Sequence, residues 1–150
     1  MYDDILLPTD GSPGMSSVVD HAVSLAETHD ATVHGLYVVD TVSLADVPME
    51  TTLEGVNRAL REEGEAAMED LQQRADGVDV ETTIIEGSPS REIVHYAEDT
   101  SCDVVVMGTH GRDGVSRLLL GSVAERVVRS SPVPVLTIRV GDEPPDLDEM

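Results

Sequence analysis

The chain has 150 residues, 30 of them acidic and nine basic, for a formal charge of −21. All nine basic residues are arginine, which excludes a Walker A loop, where lysine is required, and every mechanism with a lysine nucleophile. The acidity argues against nucleic acid, whose phosphates it would repel, and no apolar span approaches the ~20 residues that cross a bilayer, so no membrane partner is expected.

In chain order, Ile5-Leu6-Leu7-Pro8 is an apolar run that stops at Thr9-Asp10-Gly11-Ser12-Pro13-Gly14, turn chemistry following a first strand. Ser12 followed by Pro13 suits an N-cap and first-turn pair. Met15, Val19, Ala22, Leu25 and Ala26 then follow helical spacing to about His29. Ala31 to Val39, rich in β-branched residues, predicts a second strand, and Asp40 to Met49 a loop. Thr51-Thr-Leu-Glu54 forms a capping box for a helix to about Asp76, with Leu53, Val56, Leu60, Ala67, Leu71 and Ala75 on one face. Gly64 lies on that stripe, where it permits close packing although it weakens a helix by ~1 kcal/mol relative to Ala.

Val78 to Ile85 predicts a third strand that becomes wholly apolar at its end, and Gly87-Ser88-Pro89 opens a helix with Ile93, Val94 and Ala97 inward, ending near Ser101. Asp103 to Met107 is a fourth strand, Ser122 to Ser130 a fourth helix, and Val133 to Val140 a fifth strand whose Pro134 sets it at an edge or near its start. The last ten residues hold five acids, two prolines and no base, as a solvated tail does. Five strands alternating with four helices predict a single domain, an open parallel sheet covered on both faces by right-handed crossovers.

Between the fourth strand and the fourth helix lies Gly108-Thr-His-Gly111, then nine further residues to Gly121-Ser122. Glycines between a strand end and a helix N-terminus let backbone N–H groups approach an anion, so the segment reads as a phosphate cradle. Charge supports this independently: from Gly108 to Ser130 the chain carries Arg112, Arg117, Arg126 and Arg129 against only Asp113 and Glu125. The arginine fork suits phosphate, which favours Arg112 and then Arg117, while Arg126 and Arg129 also complement a helix C-terminus.

The glycine spacing, Pro8-Thr9-Asp10, Gly87-Ser88-Pro89 and Pro134-Val135-Leu136 together resemble the ATP-binding branch of the universal stress protein family over nearly the whole chain. That resemblance implies a universal stress protein domain over residues 1–140 with the acidic tail at 141–150, and the Rossmann-like strand order 3-2-1-4-5 of adenine nucleotide alpha hydrolases. Strands one and four would then be neighbours with connections leaving in opposite directions, where a crevice opens. It implies ATP, with Mg2+, as ligand. By position, Gly108, Gly111 and Gly121 would shape the loop around the triphosphate, Ser122 and the Val123 amide would meet phosphate, and Pro8, Thr9 and Asp10 would face the sugar side. Val38 would lie against adenine. It also implies a homodimer through strand five, Val133 to Val140, acting as a nucleotide-responsive regulator of stress response.

Several residues carry a second reading. The Ser122 hydroxyl either bonds phosphate or caps the following helix together with Glu125, and its backbone role is the same in both. Asp10 doubles as a turn residue, Val38 as core, and His110 either touches phosphate or braces the loop. No catalytic residue can be assigned. Relatives that split or transfer nucleotides carry Ser-Gly-Gly-x-Asp-Ser or His-x-Gly-His motifs, both missing here, which leaves a slow ATPase and a ligand-free interaction module as alternatives. No HExxH or Cys/His pattern points to zinc. The single Cys102 fits a small core residue in a reducing compartment, and with no positive region at Met1-Tyr-Asp-Asp4 a cytoplasmic location is expected. Acidity without lysine points to a halophilic protein, because molar salt shortens the Debye length to ~3 Å and screens self-repulsion.

Overall fold

The computed structural model describes residues 1–41, 53–110 and 120–140. The loop to Met49 past residue 41, the Thr51–Glu54 capping box, Gly111, Arg112, Arg117 and the acidic tail fall outside that description. Five strands, β1 (Asp4–Pro8), β2 (Thr32–Asp40), β3 (Val80–Gly87), β4 (Val104–Gly108) and β5 (Val135–Ile138), form one sheet in the order β3-β2-β1-β4-β5. Every pairing is parallel. The connecting helices are α1 (Met15–His29), α2 (Leu53–Arg74), α3 (Pro89–Asp99) and α4 (Ser122–Ser130). This is the α/β architecture and strand order that the alternation and the resemblance lead one to expect.

The continuous apolar runs follow from burial on both sheet faces. Side chains alternate along a strand, so Ile5 and Leu7 of β1 join Val18, Val33, Val104 and Leu71 in a core beneath α1 and α2. Leu6 points the other way and joins Leu36, Ile93, Val105 and Val127 beneath α3 and α4. Gly64 of α2 does allow the close approach expected of it: a Cβ there would stand 2.7 Å from Cδ1 of Tyr37. Cys102 is a buried free thiol, pushed up in pKa chiefly by that burial.

Among the boundaries that differ from expectation, three have local physical reasons. Helix α1 begins after Gly14, not Ser12, because the chain is still turning there: the carbonyl of Ser12 accepts the Met15 N–H at 3.0 Å, and the Ser12 hydroxyl makes no cap. Strand β3 starts at Val80 rather than Val78, since Gly77, with φ +84°, and the Val78 N–H bond to Ala75 O hold those residues in the preceding turn. Its apolar end, Ile84-Ile85, is only half-buried because β3 is an edge strand. The fifth strand shortens from Val133–Val140 to Val135–Ile138, with Pro134 just before it. Asp103 anchors the sheet's other end, accepting the Asp3 and Asp4 N–H groups at 2.8 and 2.9 Å. Among the described residues, no helix is long and apolar enough to cross a membrane.

Candidate functional site

Strand β1 pairs with β2 on one side and β4 on the other, and the order reverses between β1 and β4, so their carboxyl ends border a crevice. After Pro8, the Thr9 N–H still donates to Leu36 O of β2 at 2.9 Å, extending the ladder one residue. The chain then turns sharply. Thr9 Oγ1 accepts the Gly11 N–H at 3.1 Å and Asp10 Oδ1 accepts the Ser12 N–H at 2.9 Å, two side-chain turns that hold Asp10 over the strand end. Gly11 sits at φ +75°, a conformation that other residues adopt only under strain.

The exit from β4 mirrors this arrangement. Thr109 donates its N–H to Ile138 O at 2.9 Å, and its hydroxyl accepts the Val140 N–H at 3.1 Å while lying 3.0 Å from His110 Nδ1. Thr109 O in turn accepts the Gly121 N–H at 2.6 Å. That bond joins the two ends of the long glycine segment, bringing Gly121 and the start of α4 back to the end of β4. Space for a side chain is short here: a Cβ on Gly108 would lie 2.7 Å from Cγ2 of Val140, inside any real contact, and one on Gly121 3.3 Å from Thr109 O, tighter than an ordinary contact.

Helix α4 begins without a side-chain cap. Its N-cap is Gly121, and the first intrahelical bond runs from Glu125 N–H to Gly121 O at 2.9 Å, so the Ser122, Val123 and Ala124 amides precede the hydrogen-bonded ladder. The reading of Ser122 as a cap partnered by Glu125 is therefore corrected: Ser122 is the first helical residue, and Glu125 binds Arg129 at 2.5 Å instead. An uncapped N-terminus beside glycine backbone is suited chemically to a phosphate group.

Pro8, Thr9, Asp10, Gly108, His110, Gly121, Ser122 and Val123 are thus gathered at the carboxyl ends of two adjacent strands. Val38 is half-buried on β2, two residues past Leu36, and packs with Val123 against the same core. Gly111 and Arg112 lie outside the described residues. Arg126 and Arg129 are exposed on α4. Among the described residues, no group of three His, Cys, Asp or Glu side chains is placed to hold a metal ion. Sequence reasoning missed two structural members of the site, Thr109 and Val140. Their contact spans 31 positions, and nothing local in either segment signals it.

The sequence profile of the Universal stress protein family matches residues 1–139. Universal stress protein MJ0531 of Methanocaldococcus jannaschii is 40% identical over 141 residues, covering 93% of this chain and 83% of that relative. The solved structure of MJ0577, a universal stress protein of the same organism, superposes with a TM-score of 0.83 at 32% identity, over 95% of this chain and 99% of that one. A universal stress protein solved in complex with cAMP has a TM-score of 0.71 at 25% identity, over 93% of this chain and 99% of that one. With its sheet order, its switch-point crevice and these likenesses in agreement, the chain belongs to the universal stress protein family.

Proposed function

We propose that the chain binds ATP, accompanied by Mg2+, at the crevice between β1 and β4 and acts as a homodimeric, nucleotide-responsive regulator in stress response. The observation that carries this reading is the uncapped α4 N-terminus, drawn by the 2.6 Å Gly121–Thr109 bond against the end of β4 and facing the Thr9–Asp10 turn across neighbouring strands. Phosphate would meet the Ser122 and Val123 amides and the Ser122 hydroxyl, within a loop shaped by Gly108, Gly111 and Gly121, with Arg112 as charge partner. Pro8, Thr9 and Asp10 would take the ribose side and Val38 the adenine, while His110, next to the Thr109 hydroxyl, holds the loop. The cAMP complex of a family relative supports an adenine nucleotide. Magnesium fits as an ion carried by the triphosphate, since it keeps most of its waters and binds phosphates readily. Residues 1–140 form the functional domain in this reading, the acidic 141–150 segment a tail, and the cytoplasm its location.

The dimer would form through β5, an edge strand with Leu136 42% exposed; an apolar edge of this kind invites pairing. The test is calorimetry with MgATP in molar KCl together with analysis of nucleotide released on denaturing the purified protein. Binding that is lost in Gly121→Val, whose Cβ would stand 3.3 Å from Thr109 O at the closure of the loop, is the expected result. A wild-type chain that shows neither heat nor released nucleotide refutes the reading and favours a ligand-free interaction module.

A further inference from the structure

At the amino-terminal end of the sheet, away from the crevice, a histidine is built into the interior between two carboxylates. His34 stands on β2 opposite Leu6 of β1 and Glu81 of β3, and it is only 7% exposed. Residues in register share a face and alternate residues return to it, so Asp4, two before Leu6, joins them on the side covered by α3.

The two ring nitrogens of His34 are in different situations. Nε2 lies 2.8 Å from Asp4 Oδ1, and because an ionised carboxylate only accepts, that nitrogen carries a proton. Nδ1 lies 3.3 Å from Glu81 Oε2 but is buried without a hydrogen bond. In the neutral ring it is a bare lone pair facing a carboxylate, a pairing that buried polar groups avoid. The other neighbours are occupied elsewhere. The Tyr96 ring of α3 packs at 6.2 Å with its hydroxyl 3.4 Å from Thr83 Oγ1, the Cys102 thiol lies 3.1 Å from Thr100 Oγ1, and Asp103 accepts the Asp3 and Asp4 N–H groups.

A second proton, on Nδ1, resolves the mismatch. It turns the lone pair into a donor for Glu81, a side chain 70% exposed with room to align, and makes the ring a cation between charges on both flanking strands. Burial opposes that charge. Both carboxylates keep part of their surface in water, however, which limits their own desolvation, and the chain's charge of −21 favours an added cation.

We infer that Asp4, His34 and Glu81 form a proton-operated clasp across β1, β2 and β3, in which the doubly protonated ring joins all three strands and loss of the Nδ1 proton releases Glu81 on the β3 edge. The folded state offers the second proton an acceptor that the unfolded chain lacks, so the stabilisation is present in acid and fades as pH rises and the ring loses that proton. Imidazole is the side chain whose charge ordinarily changes between pH 5 and 8. Free carboxylates and phenols change charge outside that window, and burial pushes the Cys102 thiol up and away from it. The clasp sits at the opposite end of the strands from the proposed nucleotide site and does not depend on that reading.

The test follows the His34 ring nitrogens of the full chain by NMR from pH 8 to 5 at fixed KCl, with denaturant unfolding of the wild type, His34→Gln and Glu81→Gln over the same range. In the folded wild type Nε2 is protonated throughout, and Nδ1 gains its proton as pH falls, at a higher pH than in Glu81→Gln. The unfolding midpoint of the wild type exceeds that of each variant by a margin that grows toward pH 5 and shrinks toward pH 8; the other four histidines cancel in that difference. An Nδ1 that takes up no proton while the chain is folded overturns the proposal. So does uptake at the same pH in Glu81→Gln, or a midpoint margin that stays constant with pH. Should His34→Gln fail to fold, the ring spectra and the exposed Glu81→Gln substitution decide.

Discussion

Gly64→Ala is a substitution in which two effects of known size oppose each other. In an isolated helix, alanine at an interior position is worth about 1 kcal/mol over glycine, so α2 alone would gain. In the fold, the new Cβ would lie 2.7, 3.0 and 3.1 Å from Cδ1, Cγ and Cε1 of Tyr37, far inside ordinary contact. Tyr37 is 3% exposed and its hydroxyl donates to Glu63 at 3.3 Å, so the ring has little room to retreat. Overpacking of this kind costs about 1–3 kcal/mol, which exceeds the helix gain and leaves a net loss of about 1 kcal/mol. For a chain of this size that lowers Tm by about 2–4 °C. The ring's other edge stands 3.7 Å from where a Gly11 side chain would begin, so the displaced ring presses on the turn that carries Asp10. The assay is thermal unfolding in molar KCl of Gly64→Ala in the native background and in Tyr37→Ala. Removing the ring leaves helix propensity unopposed, and the same substitution then raises stability. A rise in Tm with Tyr37 in place refutes the reasoning, because it would mean that the ring gives way more easily than the packing implies.

Other expectations follow from single contacts. Asp103→Ala removes the acceptor of the Asp3 and Asp4 N–H groups and costs about 1–2 kcal/mol in denaturant unfolding. Those same two donors hold the Asp103 carboxyl below the usual carboxylate range. Its stabilisation is therefore full above the unfolded group's value of about 3.9 and lost as pH falls through the lower folded value; the wild-type and Asp103→Ala stability curves should converge at low pH, and a constant gap contradicts this. Leu136→Asp, at a position 42% exposed in the chain alone, should give a folded monomer by light scattering, and a persistent dimer removes β5 from the proposed interface. Raising KCl from dilute to 1 M should lift Tm as the charge of −21 is screened, whereas equal stability argues against adaptation to salt.

What could be read from the sequence follows the physical origin of each signal. Strands buried on both faces announce themselves as unbroken apolar runs, so β1, β2 and β4 were legible within a residue or two. Helix α4, with Gly121 before it and Ser131 after it, matched at both ends. The start of α1 is misplaced because Ser12-Pro13 has the chemistry of a cap, yet the Met15 N–H that such a cap would bind is taken by the Ser12 carbonyl. Helix-local rules cannot see that competition. Likewise Ser122 looked like one half of a capping box, but Glu125 one turn from Arg129 prefers an opposite charge. For the site, the glycine spacing locates the β4 exit, while the Gly121–Thr109 closure depends on a contact that no local pattern encodes.

Val140 gives the crevice a dependence on time. Its N–H binds Thr109, and its side chain occupies the space that a Cβ on Gly108 or Gly14 would need. The end of β4, the start of α1 and the segment after β5 are therefore held together through Val140. A chain emerging from the ribosome can form β1, α1 and β2 early, but it cannot complete this junction until residue 140 has cleared the exit tunnel.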